Sequence, residues 1–186
     1  RSVDDNGSAV DPHIWFSIPI WKQVITIISD ELKTALPDEE KFLEENHNNY
    51  QTKLDELNDF TITNIKLIPE KHRVLVTEHD AFHYFANQYG LEVKSLQGIS
   101  TATEFGVKER IDLVNFVTEN KIKAIFNESA TNHKAINAII EDCKTKGHQL
   151  NEGATLYADA LGGTPESNTY LAMFKTNVSN IVNALK

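Results

Sequence analysis

After Pro69 the sequence alternates short apolar runs with helical patterns, and this alternation constrains the fold more than any other feature. Three runs and a weaker fourth have the length of strands, at 73–79, 91–96, 123–128 and 148–152. Helical patterns follow them, at 80–89, about 104–120, 131–146 and roughly 168–185. Nearly continuous apolar strands separated by helices indicate a parallel sheet that helices cover on both faces. We therefore predict one compact α/β domain over 71–186.

Residues 1–37 carry one amphipathic helix behind a polar tail at 1–10. Ser17 is a good helix cap and Pro19 suits a first helical turn, so together they predict the start of the helix. Apolar residues then repeat at spacings of three and four until Pro37, which ends the helix.

The stretch from 38 to 70 predicts a longer and more polar helix. Its apolar residues are sparse: Phe42, Tyr50, Leu54, Leu57, Ile65 and Ile68. A narrow apolar stripe of this kind is typical of a connector and not of a core helix. The Thr-Ile-Thr-Asn segment at 61–64 has low helix propensity and is expected to weaken or break the helix. Two helices and a tail have no sheet to cover, so we expect no second domain in this part.

Charge and cysteine content exclude several kinds of partner. The formal net charge is −9 over 186 residues, which argues against nucleic acid because phosphate binding needs clustered Lys and Arg. Cys143 is the only cysteine, so the chain has no internal disulfide and no cysteine-rich zinc site. Its helical context predicts a packing role. No apolar run approaches the ~20 residues of a membrane-spanning helix.

Three polar residues follow the carboxyl ends of predicted strands. His79 comes directly after the first apolar run, Glu128 ends the third, and Asp159 lies in the loop after the fourth. In open α/β sheets, functional groups collect outside the carboxyl ends of the strands. Each residue also has a structural interpretation, as a helix cap, an ion-pair partner or a turn residue. Their positions nevertheless predict a common rim suited to metal binding or acid–base chemistry.

A second hypothesis starts from two histidines four residues apart. The segment 79–83, His-Asp-Ala-Phe-His, differs by one methylene from the H-E-x-x-H helix of zinc proteases. Asp80 is shorter than Glu, however, and in the first turn of a helix it is better placed to favour the helix dipole. His83 is expected to face solvent, since only one face of such a helix packs on the sheet. A metal-dependent hydrolase that uses His79 and His83 stays an alternative.

The remaining histidines give weaker signals. His13 follows Asp-Pro, which imposes extended or turn geometry, and precedes two aromatic residues that offer a packing anchor. His133 is close to Glu128 in sequence and is a weak additional candidate. Three others lie among polar residues and are predicted to be solvated: His47, His72 and His148.

Five motifs in this order resemble the metal-binding solute-binding proteins of bacterial manganese and zinc ABC importers, from about Asp11 to the C-terminus. They are DPHIWF at 11–16, VLVTEHDAFHYFANQYGLEV at 74–93, LQGISTATE at 96–104, IFNESATNHKAI at 125–136 and LYADALG at 156–162. The resemblance implies two α/β lobes that are joined by one long helix, with the metal in the cleft between them. The chain would then comprise a remnant of the first lobe at 1–37, the connector at 38–70 and the C-terminal metal-binding lobe at 71–186.

The resemblance also implies the metal ligands. His13 matches the histidine of D-P-H-x-W, His79 matches the ligand before A-F-x-Y-F, and Asp159 matches the aspartate of Y-x-D-x-L-G. Glu128 matches the glutamate of I-F-x-E, which is expected to orient one of the metal ligands without binding the metal itself. The remaining ligand of the family pattern is a histidine from the first lobe, and no residue of this chain corresponds to it.

The function implied by the resemblance is capture of a divalent metal outside the cytoplasm for delivery to an ABC importer permease. The cargo would be Mn(II) in preference to Zn(II), and membrane contact would be through a lipid anchor outside this chain. Two imidazoles and one carboxylate suit a divalent first-row metal such as Mn, Zn or Fe, since no thiolate is available to select a softer ion. We therefore expect a transport protein at the cell surface or in the periplasm and not an enzyme. A surface adhesin without a transport role is a further alternative.

Overall fold

Four parallel strands form one sheet in the order β2-β1-β3-β4 in the computed structural model, which describes residues 10–99, 106–129 and 134–186. The strands are β1 (Val74–Thr77), β2 (Glu92–Ser95), β3 (Ala124–Glu128) and β4 (Asn151–Leu156). All three strand pairs are parallel. The predicted α/β class with a parallel sheet is confirmed. The fourth strand begins at Asn151 and ends at Leu156, later than predicted, because its pairing with β3 extends the strand into the following residues.

Six α-helices accompany the sheet in the described part of the chain. They are α1 (Ile18–Ala35), α2 (Glu40–Ile65), α3 (His83–Tyr89), α4 (Val107–Glu119), α5 (Lys134–Thr145) and α6 (Tyr170–Leu185), with short 3-10 helices at Ile14–Phe16, Pro37–Glu39 and Glu70–His72. Ser17 is the N-cap of α1, but its side chain makes no capping hydrogen bond. No helix among the described residues is both long enough and apolar enough to span a membrane. The predicted tail up to residue 9, the first residues of two predicted helices (104–105 and 131–133) and His133 lie outside the described residues.

Alternate residues of the central strands face two separate hydrophobic clusters. In β1, Leu75 faces one cluster and Val76 the other; in β3, Phe126 and Ile125 divide in the same way. All four side chains are fully buried. Because successive strand residues point to opposite faces, this division requires helices on both sides of the sheet. The first cluster is shared with α1, α2, α3 and α6, and the second with α4 and α5, where Cys143 is buried as predicted.

Helix α2 has two unlike halves. Near its start Phe42 is 61% exposed, whereas Leu54 and Leu57 are fully buried in the first hydrophobic cluster. The helix runs unbroken through 61–64, so the predicted break there is wrong. Thr61 is buried and its hydroxyl donates to the carbonyl of Leu57 (2.8 Å), which satisfies the polar group within the helix. Packing against α6 thus outweighs the low propensity of this segment, and the proposed domain boundaries at 37 and 70 stay predictions.

Gly153 allows β4 to approach β3 closely. It is paired with Phe126, and a Cβ atom on Gly153 would lie 2.4 Å from the Phe126 ring. The Phe126 side chain is fully buried. We predict that Gly153→Ala lowers the free energy of unfolding by about 1–3 kcal/mol, as overpacking does in other cores. Urea denaturation measures this loss.

Gly163→Ala is the matched control, since nothing lies within 4 Å of the added Cβ there. Its free energy of unfolding should stay within about 0.5 kcal/mol of the wild-type value. Equal stability of the two variants would contradict the close packing of β3 and β4.

Candidate metal site

The carboxyl ends of three strands bring polar side chains to one edge of the sheet. His79 follows β1 by two residues, Glu128 ends β3, and Asp159 follows β4 by three residues. Because β1, β3 and β4 are adjacent and parallel, their ends meet at the same rim. His13 reaches this rim from outside the sheet, at the start of the 3-10 helix Ile14–Phe16.

Two imidazoles and one carboxylate converge at this rim. The Nε2 atom of His13 lies 3.3 Å from Asp159 Oδ1, and the Nε2 atom of His79 lies 3.5 Å from Asp159 Oδ2. The two imidazole rings are 5.4 Å apart between centroids. One ligand atom from each of the three residues lies within 4.8 Å of the others. A cation placed among these atoms would contact two nitrogens and one oxygen, a donor set that suits first-row divalent metals.

Asp11 fixes the orientation of His13. Its Oδ1 atom accepts from the His13 backbone amide (2.9 Å) and from the ring Nδ1 (2.7 Å), and both side chains are buried. A hydrogen bond at Nδ1 leaves Nε2 as the free ring nitrogen, and it faces Asp159. This is the usual arrangement behind a metal-binding histidine, because it sets both the tautomer and the ring direction. The sequence reasoning used Asp11 only as a turn residue, although a carboxylate two positions before a histidine is itself a signal for such a contact.

Trp15 joins the His13 segment to the loop that carries Asp159. Its indole Nε1 donates to the carbonyl of Ala158 (3.1 Å), one residue before Asp159. The Tyr170 hydroxyl donates in turn to the Trp15 carbonyl (2.7 Å). Next along the chain, Phe16 is buried against the Phe82 ring, 4.5 Å between centroids. These contacts hold His13 at the rim despite its distance along the chain from the sheet.

Glu128 holds His79 from the adjacent strand. Its Oε1 atom accepts from the backbone amides of Glu78 (3.1 Å) and His79 (2.9 Å), and its Oε2 atom is in close contact with the His79 Nδ1 atom. The side chains of Glu128 and His79 are completely buried. Burial lowers the pKa of His79, but the hydrogen bond and charge of Glu128 and the charges of Asp159 and Asp80 outweigh it, so the pKa is raised. The same negative charges attract a cation to this imidazole.

The Nε2 atom of His79 is buried but is not used in a hydrogen bond within the described part of the chain. Buried polar atoms without partners are uncommon because they lose their hydration without compensation. The atom points at Asp159, whose side chain is 39% exposed. The cluster is therefore closed on the His79 side and open on the Asp159 side.

His83 lies apart from this cluster. Its Nδ1 atom pairs with Asp80 (2.8 Å), and its side chain is 42% exposed. The metal-compatible group among the described residues contains His79 without His83. The geometry of an H-E-x-x-H site, with both histidines on one metal, is therefore not formed here.

The prediction that His47 is solvated is wrong. Its ring is half-buried between α1 and α2, where Nε2 lies 3.0 Å from Gln51 Nε2 and 3.2 Å from the Thr26 hydroxyl. His148 is also half-buried, and its Nε2 donates to the carbonyl of Ile122 (2.8 Å). His72 is half-buried as well. All three side chains are therefore partly buried although their sequence neighbours are polar.

Several known proteins are similar to this chain in sequence and in fold. A family model described as ZnuA, the periplasmic component A of a zinc-uptake complex, matches residues 2–184. The manganese-binding lipoprotein MntA of Bacillus subtilis is 44% identical over 182 residues, which are 97% of this chain and 59% of the relative. The zinc-binding protein TroA of Treponema pallidum is 38% identical over 177 residues, 94% of this chain and 57% of the relative. The solved structure of periplasmic TroA matches with a TM-score of 0.92 at 37% identity, over 96% of this chain and 65% of that one.

The fold and the sequence are those of the uptake components that these matches describe. The chain belongs to the ZnuA family of periplasmic uptake components. It spans less than two thirds of the length of the MntA and TroA relatives. The predicted extracytoplasmic location and the prediction that the chain is not an enzyme are both confirmed by this family and the names of its members.

The buried Glu128 contact generates a stability prediction. Glu128→Ala removes the acceptor of two backbone amides and the partner of His79, so we expect a loss of about 3 kcal/mol in the free energy of unfolding. Glu128→Gln keeps a side-chain oxygen for the amides and should lose less. Urea denaturation of the metal-free chain measures both variants.

Glu119→Ala is the control, because Glu119 is exposed at the end of α4. It should change the free energy of unfolding by no more than about 0.5 kcal/mol. If Glu128→Ala were as stable as this control, the assigned role of the carboxylate in holding His79 would be wrong.

Proposed function

We propose that this chain captures a divalent transition metal for an ABC importer, with His13, His79 and Asp159 as ligands and Glu128 orienting His79. The observation that carries the proposal is the convergence of two imidazole Nε2 atoms on one carboxylate. Asp11 and Glu128 hold the opposite ring nitrogens, which leaves both Nε2 atoms directed at the same point. Ligands that are oriented in advance in this way lose little freedom when a metal binds.

We propose Mn(II) as the preferred cargo, ahead of Zn(II). The 44% identity to a manganese-binding lipoprotein supports manganese, and the 38% identity to a zinc-binding protein keeps zinc close behind. Donor chemistry alone favours zinc, because affinity of nitrogen and oxygen sites rises from Mn(II) towards the end of the first row. A preference for Mn(II) therefore depends on coordination number. The open side beside Asp159 offers room for the further ligands that a larger coordination sphere needs.

The proposed partner is the permease of an ABC importer, and the proposed mode of action is capture and release. The family's description as an uptake component supports this role. A capture protein surrounds its ion with protein ligands, whereas a catalytic zinc site keeps one position open for an activated water. In the three-residue set proposed here, the remaining ligand of the family pattern would enter beside Asp159, from the part of the longer relatives that this chain does not span.

Paired histidine variants test the ligand assignment. We expect His79→Ala to weaken Mn(II) and Zn(II) binding by more than about 100-fold, the upper range for residues that only support a ligand. His83→Ala should bind within about 2-fold of wild type, since its side chain points away from the cluster. Isothermal titration with each metal measures both variants. His83 is the matched control because it lies one helical turn from His79.

Other results would contradict the proposal. If His83→Ala abolished binding while His79→Ala did not, the ligand set would be wrong. If the wild-type chain and a version extended to the full length of its relatives both failed to bind either metal, the adhesin alternative would replace metal capture.

Metal should also stabilise the folded chain. A ligand that binds only the folded state adds about 2.7 kcal/mol of stability at a concentration 100 times its dissociation constant. We predict that saturating Mn(II) or Zn(II) raises the melting temperature of wild type and of His83→Ala, and that a chelator reverses the shift. His79→Ala and Asp159→Ala should show no shift. An equal shift in all four proteins would indicate metal binding elsewhere on the surface.

A further inference from the structure

Asp159 is the least supported member of the proposed ligand set. Asp11 and Glu128 hold the two histidines through buried hydrogen bonds. The Asp159 side chain is 39% exposed, and among the described residues its carboxylate contacts only the two imidazoles. Its position must therefore come from the backbone of the preceding loop.

Asn177 forms hydrogen bonds with both the backbone N–H and the backbone C=O of Tyr157, the residue at which that loop begins. Its Oδ1 atom accepts from the Tyr157 amide (2.9 Å), and its Nδ2 atom donates to the Tyr157 carbonyl (2.8 Å). Tyr157 directly follows β4, which is an edge strand. The carboxamide supplies one donor and one acceptor to Tyr157, as the peptide group of a neighbouring strand would.

The buried surroundings of Asn177 require its side chain to be hydrogen-bonded within the protein. Asn177 is 2% exposed on the buried face of α6, between the fully buried side chains of Phe174 and Ile181. A polar group in such a place must have hydrogen-bond partners, because it cannot reach water. Its two strong partners are the N–H and C=O of one residue, Tyr157. The two bonds together restrict the backbone conformation at Tyr157.

We propose that Asn177 is a positioning residue for metal capture, which sets the Asp159 loop against the two histidines. Asn177 holds Tyr157, the Trp15 indole holds the carbonyl of Ala158, and Asp159 follows directly. The loop is thus attached on one side to α6 and on the other to the segment that carries His13. The expected effect of Asn177 on metal affinity rests on the proposed function. Its expected effect on the conformation of the loop does not.

Asn180 provides a matched control on the same helix. Its Nδ2 atom donates to the carbonyl of Thr155 (2.9 Å), which lies within β4, four residues before Asp159. Asn177→Leu and Asn180→Leu therefore remove similar groups from the same helix–strand contact. Only the first removes a contact that directs the loop.

The experiment titrates both variants with Mn(II) and Zn(II), in the wild-type background and in Asp159→Ala. We expect Asn177→Leu to weaken binding about 10-fold or more, the lower range for residues that orient a ligand. Asn180→Leu should stay within about 2-fold of wild type. In the Asp159→Ala background Asn177→Leu should also cost no more than about 2-fold, because its effect acts through Asp159. Equal losses in the two variants, or an undiminished loss without Asp159, would overturn the proposal.

Amide hydrogen exchange of the metal-free chain gives a readout that does not need metal binding. Exchange at 157–160 should be faster in Asn177→Leu than in Asn180→Leu, and unchanged exchange would overturn the proposal. If the wild type bound neither metal, the proposed function would fail, and exchange alone would decide the role of Asn177 in the loop. If Asn177→Leu does not fold, Asn177→Asp takes its place with the same expected ranking, since it retains the acceptor for the Tyr157 amide.

Discussion

The buried contact between Glu128 and His79 is the interaction on which the rim of the sheet depends. A carboxylate without access to water must be paired and hydrogen-bonded, and Glu128 is both. It accepts from two consecutive backbone amides after β1 and faces the imidazole that follows. This contact ties the end of β3 to the end of β1 and turns His79 towards Asp159. The other members of the cluster are then arranged around an imidazole whose direction is already set.

The remaining groups reach this imidazole through contacts between distant parts of the chain. Trp15 bonds to the carbonyl of Ala158, 143 residues away in sequence, and Tyr170 bonds back to Trp15. Because these contacts link the His13 segment, the Asp159 loop and α6, the cluster is a property of the whole fold and not of any one segment. A metal bound there would add a further link between the same elements.

Sequence reasoning succeeded where local chemistry and pattern agreed. The apolar runs before His79 and up to Glu128 are central strands, so their positions were predicted well. It failed where tertiary packing dominated. Helix α2 continues through a segment of low propensity because the helix packs against α6 and Leu57 and Thr61 are buried. His47 lies among polar residues in sequence, yet the packing of α1 on α2 buries half of it.

The sequence by itself determined the class of fold and the family, because strand and helix periodicity and five ordered motifs are local properties of the chain. It also named His79, Glu128 and Asp159, since residues at strand ends share a rim in any parallel sheet, and it named His13 through the resemblance of its D-P-H-x-W motif. Only the tertiary structure decided which nitrogen of His79 is held by Glu128 and that Asn177 bonds to Tyr157, the residue at which the loop before Asp159 begins. Those features depend on hydrogen bonds between residues far apart in sequence, and no local pattern encodes such bonds.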